Sequence, residues 1–122
     1  MILVDTSVWI DHLRNPEVKL QDLLQNDEVV THPFVRLELS LGSIANREKV
    51  LVDLALLPQA PIAETDELFG LVERRRLYRR GIGITDLHLV ASALLDKSIS
   101  IWTRDRRLGE IAGELGLRAA IP

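Results

Sequence analysis

Four acidic residues fall where carboxylate chemistry could be assembled. Asp5 follows the apolar run Ile2-Leu3-Val4, Glu38 sits in Val35-Arg36-Leu37-Glu38-Leu39, Asp86 in Gly83-Ile84-Thr85-Asp86-Leu87, and Asp105 closes Trp102-Thr103-Arg104-Asp105. Brought together, such carboxylates repel one another and cannot all stay ionised without a counter-charge. A divalent cation supplies that charge, and oxygen-only ligands suit Mg2+ or Mn2+. The chemistry this predicts is phosphoryl transfer, in which the ion activates water and a second ion, where present, stabilises the leaving oxygen. Asp5, Asp86 and Asp105 are expected to ligate one ion directly or through water, with Glu38 holding a second ion or positioning the attacking water. Cysteine is absent, which removes disulfides and thiolate sites and leaves carboxylate, carbonyl and imidazole as ligands.

Each acid also has a plainer reading. Asp5, Asp86 and Asp105 stand at or near helix starts, where an aspartate oxygen accepts an orphan N–H and its charge suits the dipole. Glu38 can be an edge glutamate reaching water. Their joint placement is what favours a site. Thr6, Ser7 and Thr103 set hydroxyls beside Asp5 and Asp105, suited to orienting carboxylates or contacting phosphate, or else to helix capping and turns. His12, His32 and His88 stand in no ligand spacing and read as core or surface residues. Trp9 and Trp102 flank the site in sequence and could stack a base, but read first as core.

Positioning these residues requires a sheet with an open edge. Apolar runs at 2–4, 28–31, roughly 60–63 and 98–103, with a possible last one at 117–121, read as buried strands. Helical spacing covers 8–14, 17–25, 33–44, 48–57, 65–80, 86–96 and 106–115. Continuous apolar strands alternating with helices predict an α/β chain: a three-layer α/β/α fold with a central, mainly parallel sheet. Ligands bind such sheets beyond the carboxyl ends of the strands. Asp5 and Asp105 follow strands directly, Glu38 lies a turn and a half into the helix after the second strand, and Asp86 opens a helix running antiparallel to the next strand. All four therefore reach one edge. In the helix from Pro33, the stripe Phe34, Leu37, Leu41, Ile44 and Ala45 is predicted to face inward, leaving Glu38 half-buried on its border.

With 122 residues, 47% hydrophobic and 27% charged, the chain is expected to form a single domain over 1–122 and to bury roughly two-thirds of its surface. No linker, repeat or low-complexity segment interrupts it. No apolar run approaches the ~20 residues that span a bilayer and the start carries no leader pattern, so no membrane contact and a cytoplasmic location are expected. The net charge of −3, from 15 Lys+Arg against 18 Asp+Glu, argues against nucleic-acid binding through overall charge. Its distribution differs: Arg74, Arg75, Arg76, Arg79 and Arg80 form one basic patch, and Arg104, Arg106 and Arg107 flank Asp105. The plain alternative for the first run is a solvated helix face.

Taken in order, Ile2-Leu3-Val4-Asp5-Thr6-Ser7-Val8-Trp9, Glu38 with its neighbours, Gly83 to Ala91 around Asp86, and Trp102-Thr103-Arg104-Asp105 resemble the PIN-domain ribonucleases, in particular the VapC toxins of VapBC toxin–antitoxin pairs. The resemblance runs nearly the whole length. It implies a PIN-like fold, Mg2+- or Mn2+-dependent endonucleolytic cleavage of RNA, a homodimer, and inhibition by a VapB-type antitoxin whose C-terminal segment enters the acidic groove. By matching position, Asp5, Glu38, Asp86 and Asp105 would be the metal-site acids, with Thr6 and Thr103 at hydroxyl positions near them. No acid is replaced. Residues 46–80 match no motif, and their five arginines could touch RNA or an acidic antitoxin segment.

Three rivals remain. A phosphatase of the haloacid dehalogenase kind needs a second aspartate two residues after the first, where this chain has Ser7. A receiver domain needs a paired acid before the first strand and a late lysine, and neither is evident. A catalytically silent RNA- or protein-binding module of the same fold would be marked by loss of one of the four acids.

Overall fold

The protein is described from a computed structural model, over residues 1–121. Its elements are β1 (Ile2–Val4), α1 (Thr6–Arg14), α2 (Val18–Gln25), β2 (Val29–Val30), α3 (Pro33–Leu41), α4 (Arg47–Ala55), α5 (Thr65–Arg75), α6 (Ile84–Leu95), β3 (Ser100–Trp102) and α7 (Arg106–Glu114). The strands form one parallel sheet in the order β2-β1-β3, with Leu3 opposite both Val30 and Ile101. Successive strand residues point to opposite faces, yet Leu3, Val4, Val29, Val30, Ile101 and Trp102 are all buried. Both faces of the sheet are therefore covered, as the three-layer α/β/α expectation requires.

The outer strands are shorter than expected. The run at 60–63 is no strand; the chain touches the sheet there only through a parallel bridge between Gln59 and Thr31. The run at 117–121 likewise reduces to a bridge between Arg118 and Ile101. Pro58 and Pro61 bracket the first of these and cannot donate to a ladder, which limits pairing to one contact.

Helix starts follow local chemistry. His32 caps α3 by accepting the Phe34 N–H at its Nδ1, 3.0 Å away, and Pro33 takes the first helical position. At the start of α5, the Glu64 N–H donates to Glu67 Oε1 at 2.8 Å, half of a capping box. α6 is buried almost throughout from Thr85 to Ala93 and contacts α3, α5 and β3.

Two helices depart from expectation. α3 ends at Leu41, before Gly42, and turns Val35 and Leu39 inward, while Leu37 and Leu41 are 55% and 87% exposed. The predicted stripe is thus rotated off the core, and Val35 and Leu39 face it instead, on a helix that packs against α1, α4 and α6. α5 stops at Arg75, since Arg76 adopts a left-handed conformation with φ 52°. Arg79 is left-handed as well, and Arg80 pairs with Glu114 at 2.8 and 3.0 Å. The arginine run is therefore split: Arg74 and Arg75 are exposed on the last turn of α5, as a solvated helix face, and Arg76, Arg79 and Arg80 belong to the folded loop that follows.

Candidate active site

Asp5 stands where β1 ends. Its N–H donates to the Trp102 carbonyl at 2.9 Å, and its carbonyl receives the Val8 and Trp9 N–H groups that start α1. The carboxylate is buried, with 4% exposure, and does not cap the helix. Oδ2 instead accepts the hydroxyls of Ser7 at 2.8 Å and Thr103 at 2.7 Å. Each hydroxyl has a single proton, spent on Asp5, so its lone pairs remain for backbone donors. The Arg104 N–H donates to Ser7 Oγ and the Asp105 N–H to Thr103 Oγ1, both at 3.0 Å. These bonds stitch the loop after β3 to the loop after β1 and lock one oxygen of Asp5, leaving Oδ1 outside the network.

Asp105 is the N-cap of α7, with Oδ1 accepting the Leu108 N–H at 2.9 Å. The capping expectation holds for that oxygen. Glu38 accepts the Thr6 hydroxyl at Oε1, 2.6 Å away, which ties α3 to the first residue of α1. It is exposed rather than half-buried, a consequence of the rotation of α3.

Asp86, the third residue of α6, accepts the Gly83 N–H at Oδ2, 3.3 Å away. Its carboxyl is pushed up to about 6. Burial is the main cause, the Gly83 N–H opposes it, and the charges of Asp5, Asp105 and Glu38 add to the rise. The side-chain charges that act on Asp86 are those of Asp5, Asp105 and Glu38, all negative, and they add to a rise that burial dominates.

The donor set, carboxylate and hydroxyl oxygen alone, fits a hard divalent cation. Among the described residues, no three acidic or histidine side chains form a ready-made cage for an ion. An open arrangement of this kind fits Mg2+, which keeps several of its waters and uses one or two carboxylates.

The other flagged side chains sit apart from these acids. His32 and His88 are buried with ring centroids 5.0 Å apart, and burial, helped by His88 and Arg36, pushes His32 down to about 4. Burial lowers His88 as well. Trp9 and Trp102 are core residues, each 4% exposed. Arg104, counted above in the patch around Asp105, is drawn away to Asp11 at 2.6 Å and Glu17 at 2.8 Å, and its guanidinium lies 5.7 Å from the Trp102 ring centroid. That pairing lowers Glu17 and raises Arg104. Asp11 and Glu17 carried no sequence signal, because their partner lies at the far end of the chain.

The family profile for the PIN domain matches residues 2–114. The chain is 49% identical over 120 residues, 98% of its own length and 97% of the relative's, to Ribonuclease VapC32 from each of two strains of Mycobacterium tuberculosis.

Proposed function

This chain belongs to the PIN-domain family, among the VapC ribonucleases, and from that premise we propose that it is a Mg2+- or Mn2+-dependent endoribonuclease, the toxin of a toxin–antitoxin pair. Asp5, Glu38, Asp86 and Asp105 are its catalytic and metal-site acids. The observation that carries this reading is the join of Asp5 to the Asp105 loop through Thr103, with Thr6 tying Glu38 to the residue after Asp5 and Asp86 part-buried under the influence of all three acids. Acids grouped in this way, with one of them shifted, favour a site that a cation and an anionic substrate complete.

When bound, the divalent ion supplies charge neutralisation, activates water and stabilises the leaving oxygen. The chain's own residues do the rest. Ser7 and Thr103 fix the direction of the Asp5 carboxylate. Thr6 holds Glu38 by Oε1, leaving Oε2 to position the attacking water and take its proton. Asp105, anchored by Oδ1 to the start of α7, presents its other oxygen. Asp86 is the acid whose ionisation gains most from a cation. The reaction is attack of water on an RNA phosphodiester, with the 103–105 loop and the α6 N-terminus framing the phosphate.

We assign three partners: RNA, a VapB-type antitoxin, and a second copy of the chain, with residues 1–122 acting as one domain. The exposed Leu37 and Leu41 of α3, with Val52 and Leu56 of α4 and its C-cap, support association with protein, since uncovered apolar patches mark interaction surfaces. No described helix is long and apolar enough to cross a membrane.

The test is incubation of purified protein with total cellular RNA in Mg2+, beside EDTA and Asp5→Asn controls. Asparagine keeps the shape and acceptor oxygen of Asp5 and removes its charge. Discrete fragments that vanish in both controls are expected. Full activity in a folded Asp5→Asn protein would overturn the metal-site assignment, and no cleavage in Mg2+ or Mn2+ would favour a silent RNA- or protein-binding module.

A further inference from the structure

We propose that the cleft beside the N-terminus of α6 is a subsite for one unpaired RNA base adjacent to the scissile phosphate, stacked on Tyr78, with Arg79 holding the neighbouring phosphate. This rests on the endoribonuclease reading above and names where its substrate is gripped. The cleft holds about 290 Å³ and is bounded by Tyr78, Arg79, Gly81, Gly83, Ile84 and Leu87. That volume is at the small end for ligand pockets, below what a drug-sized molecule needs, and suits a single planar ring system.

Its position ties it to the acids. Gly83, in the cleft wall, donates its N–H to Asp86 Oδ2, and Leu87 follows Asp86 in α6. A base seated here would lie against the residue that bonds Asp86. Its lining also has the right chemistry. Tyr78 is 50% exposed and Ile84 60% exposed, an aromatic and an aliphatic surface left in water in the wall of the cleft that Gly83 shares with Asp86. Single-stranded RNA is recognised by splaying a base out and stacking it on an aromatic or guanidinium plane.

Positive charge is available at the same place. RNA is a polyanion approaching an acidic site on a chain of net charge −3, so fixed positive charge is needed beside the site to hold it. Arg80 is spent on Glu114, and Arg107 reaches toward the Gly81 carbonyl at 3.4 Å. Arg79 is exposed and forms no ion pair among the described residues.

The loop that presents it is built to stay put. Arg76, Arg79 and Gly81 are all left-handed, and a Cβ on Gly81 would fall 2.8 Å from Arg107 side-chain atoms. Non-glycine residues held in this region are costly and persist where surrounding contacts over-determine them, as at ligand clamps. Here those contacts are the Arg80 and Arg107 bonds, which dock the loop on α7.

The experiment uses the full chain and fluorescent single-stranded homopolymers of each of the four bases. Binding is measured in Mg2+ on an Asp5→Asn background, and cleavage of cellular RNA is measured without that change. Tyr78→Ala is expected to weaken binding of at least one homopolymer by about tenfold or more and to shift the cleavage sites, with Tyr78→Phe restoring both. Arg79→Ala should weaken all four alike and flatten the salt dependence. If wild-type protein cleaves RNA while Tyr78→Ala binds every homopolymer unchanged, the subsite is overturned. Wild-type protein that neither binds nor cleaves RNA overturns the endoribonuclease reading itself, and the subsite with it.

Discussion

Asp86 and His32 titrate in opposite senses, and the contrast can be measured. The Asp86 carboxyl sits at about 6, above its ordinary 3.8, so between pH 4 and 6 the folded chain holds a proton that the unfolded chain releases. Stability attached to Asp86 is therefore present at low pH and lost as pH rises through about 6. His32 sits at about 4, below its ordinary 6.5. In that window the unfolded chain takes the proton, so stability attached to His32 is lost as pH falls from 6.5 toward 4. Asp86→Asn should raise the Tm of the metal-free protein near neutral pH and leave it unchanged near pH 4. With the aspartate slope removed, the variant's Tm should climb as pH rises from 4 to 6.5, following His32. A lower Tm at neutral pH would mean that the carboxylate is compensated after all.

At the scale of the element, Asp105 caps α7 with one oxygen and, in the proposed function, serves the site with the other. Oδ1 accepts the Leu108 N–H, and losing an N-cap to alanine costs about 0.5–2 kcal/mol. Asn caps as well as Asp and removes a charge that bears on Asp86, so Asp105→Asn should leave the Tm no lower while abolishing cleavage. Asp105→Ala should lose both. Equal destabilisation by the two substitutions would show that charge at the helix terminus, rather than the cap bond, holds α7. The same division explains Asp5, which sits at a helix start yet gives its captured oxygen to Ser7 and Thr103. A position before a helix licenses a cap; neighbouring hydroxyls decide whether the side chain becomes one.

For the whole molecule, the proposed metal site predicts that a cation stabilises the native state. Metal binding to the native state should add RT ln(1 + [L]/Kd), about 2.7 kcal/mol at a hundredfold excess over Kd. A domain of this size should then gain several degrees in Tm. Thermal melts in Mg2+ or Mn2+ against EDTA check this, with Asp5→Asn expected to lose most of the gain. An identical gain in that variant would place the ion elsewhere. Since the net charge is only −3, such a gain reports local crowding at the sheet edge more than relief of global repulsion.

The sequence by itself determined the α/β class, the parallel direction of the three short apolar strands, and the placing of Asp5 and Asp105 just after two of them; the runs at 60–63 and 117–121 form only single bridges. Those features are local: an apolar run, the polar residue that ends it, and the rule that parallel strands share a carboxyl end. It could not determine which face of α3 turns inward, because Leu37 and Leu41 are as apolar as Val35 and Leu39 and only packing against the rest of the core chooses between them. Nor could it separate Arg79 from Arg80, since Glu114 lies in the last helix and is reached only once that helix folds back. Tyr78 had no spacing to mark it; the cleft beside it exists because Arg76, Arg79 and Gly81 turn the loop left-handed against α7. Contacts between residues distant in sequence carry no periodic signal, so what depends on them was decided by the tertiary structure alone.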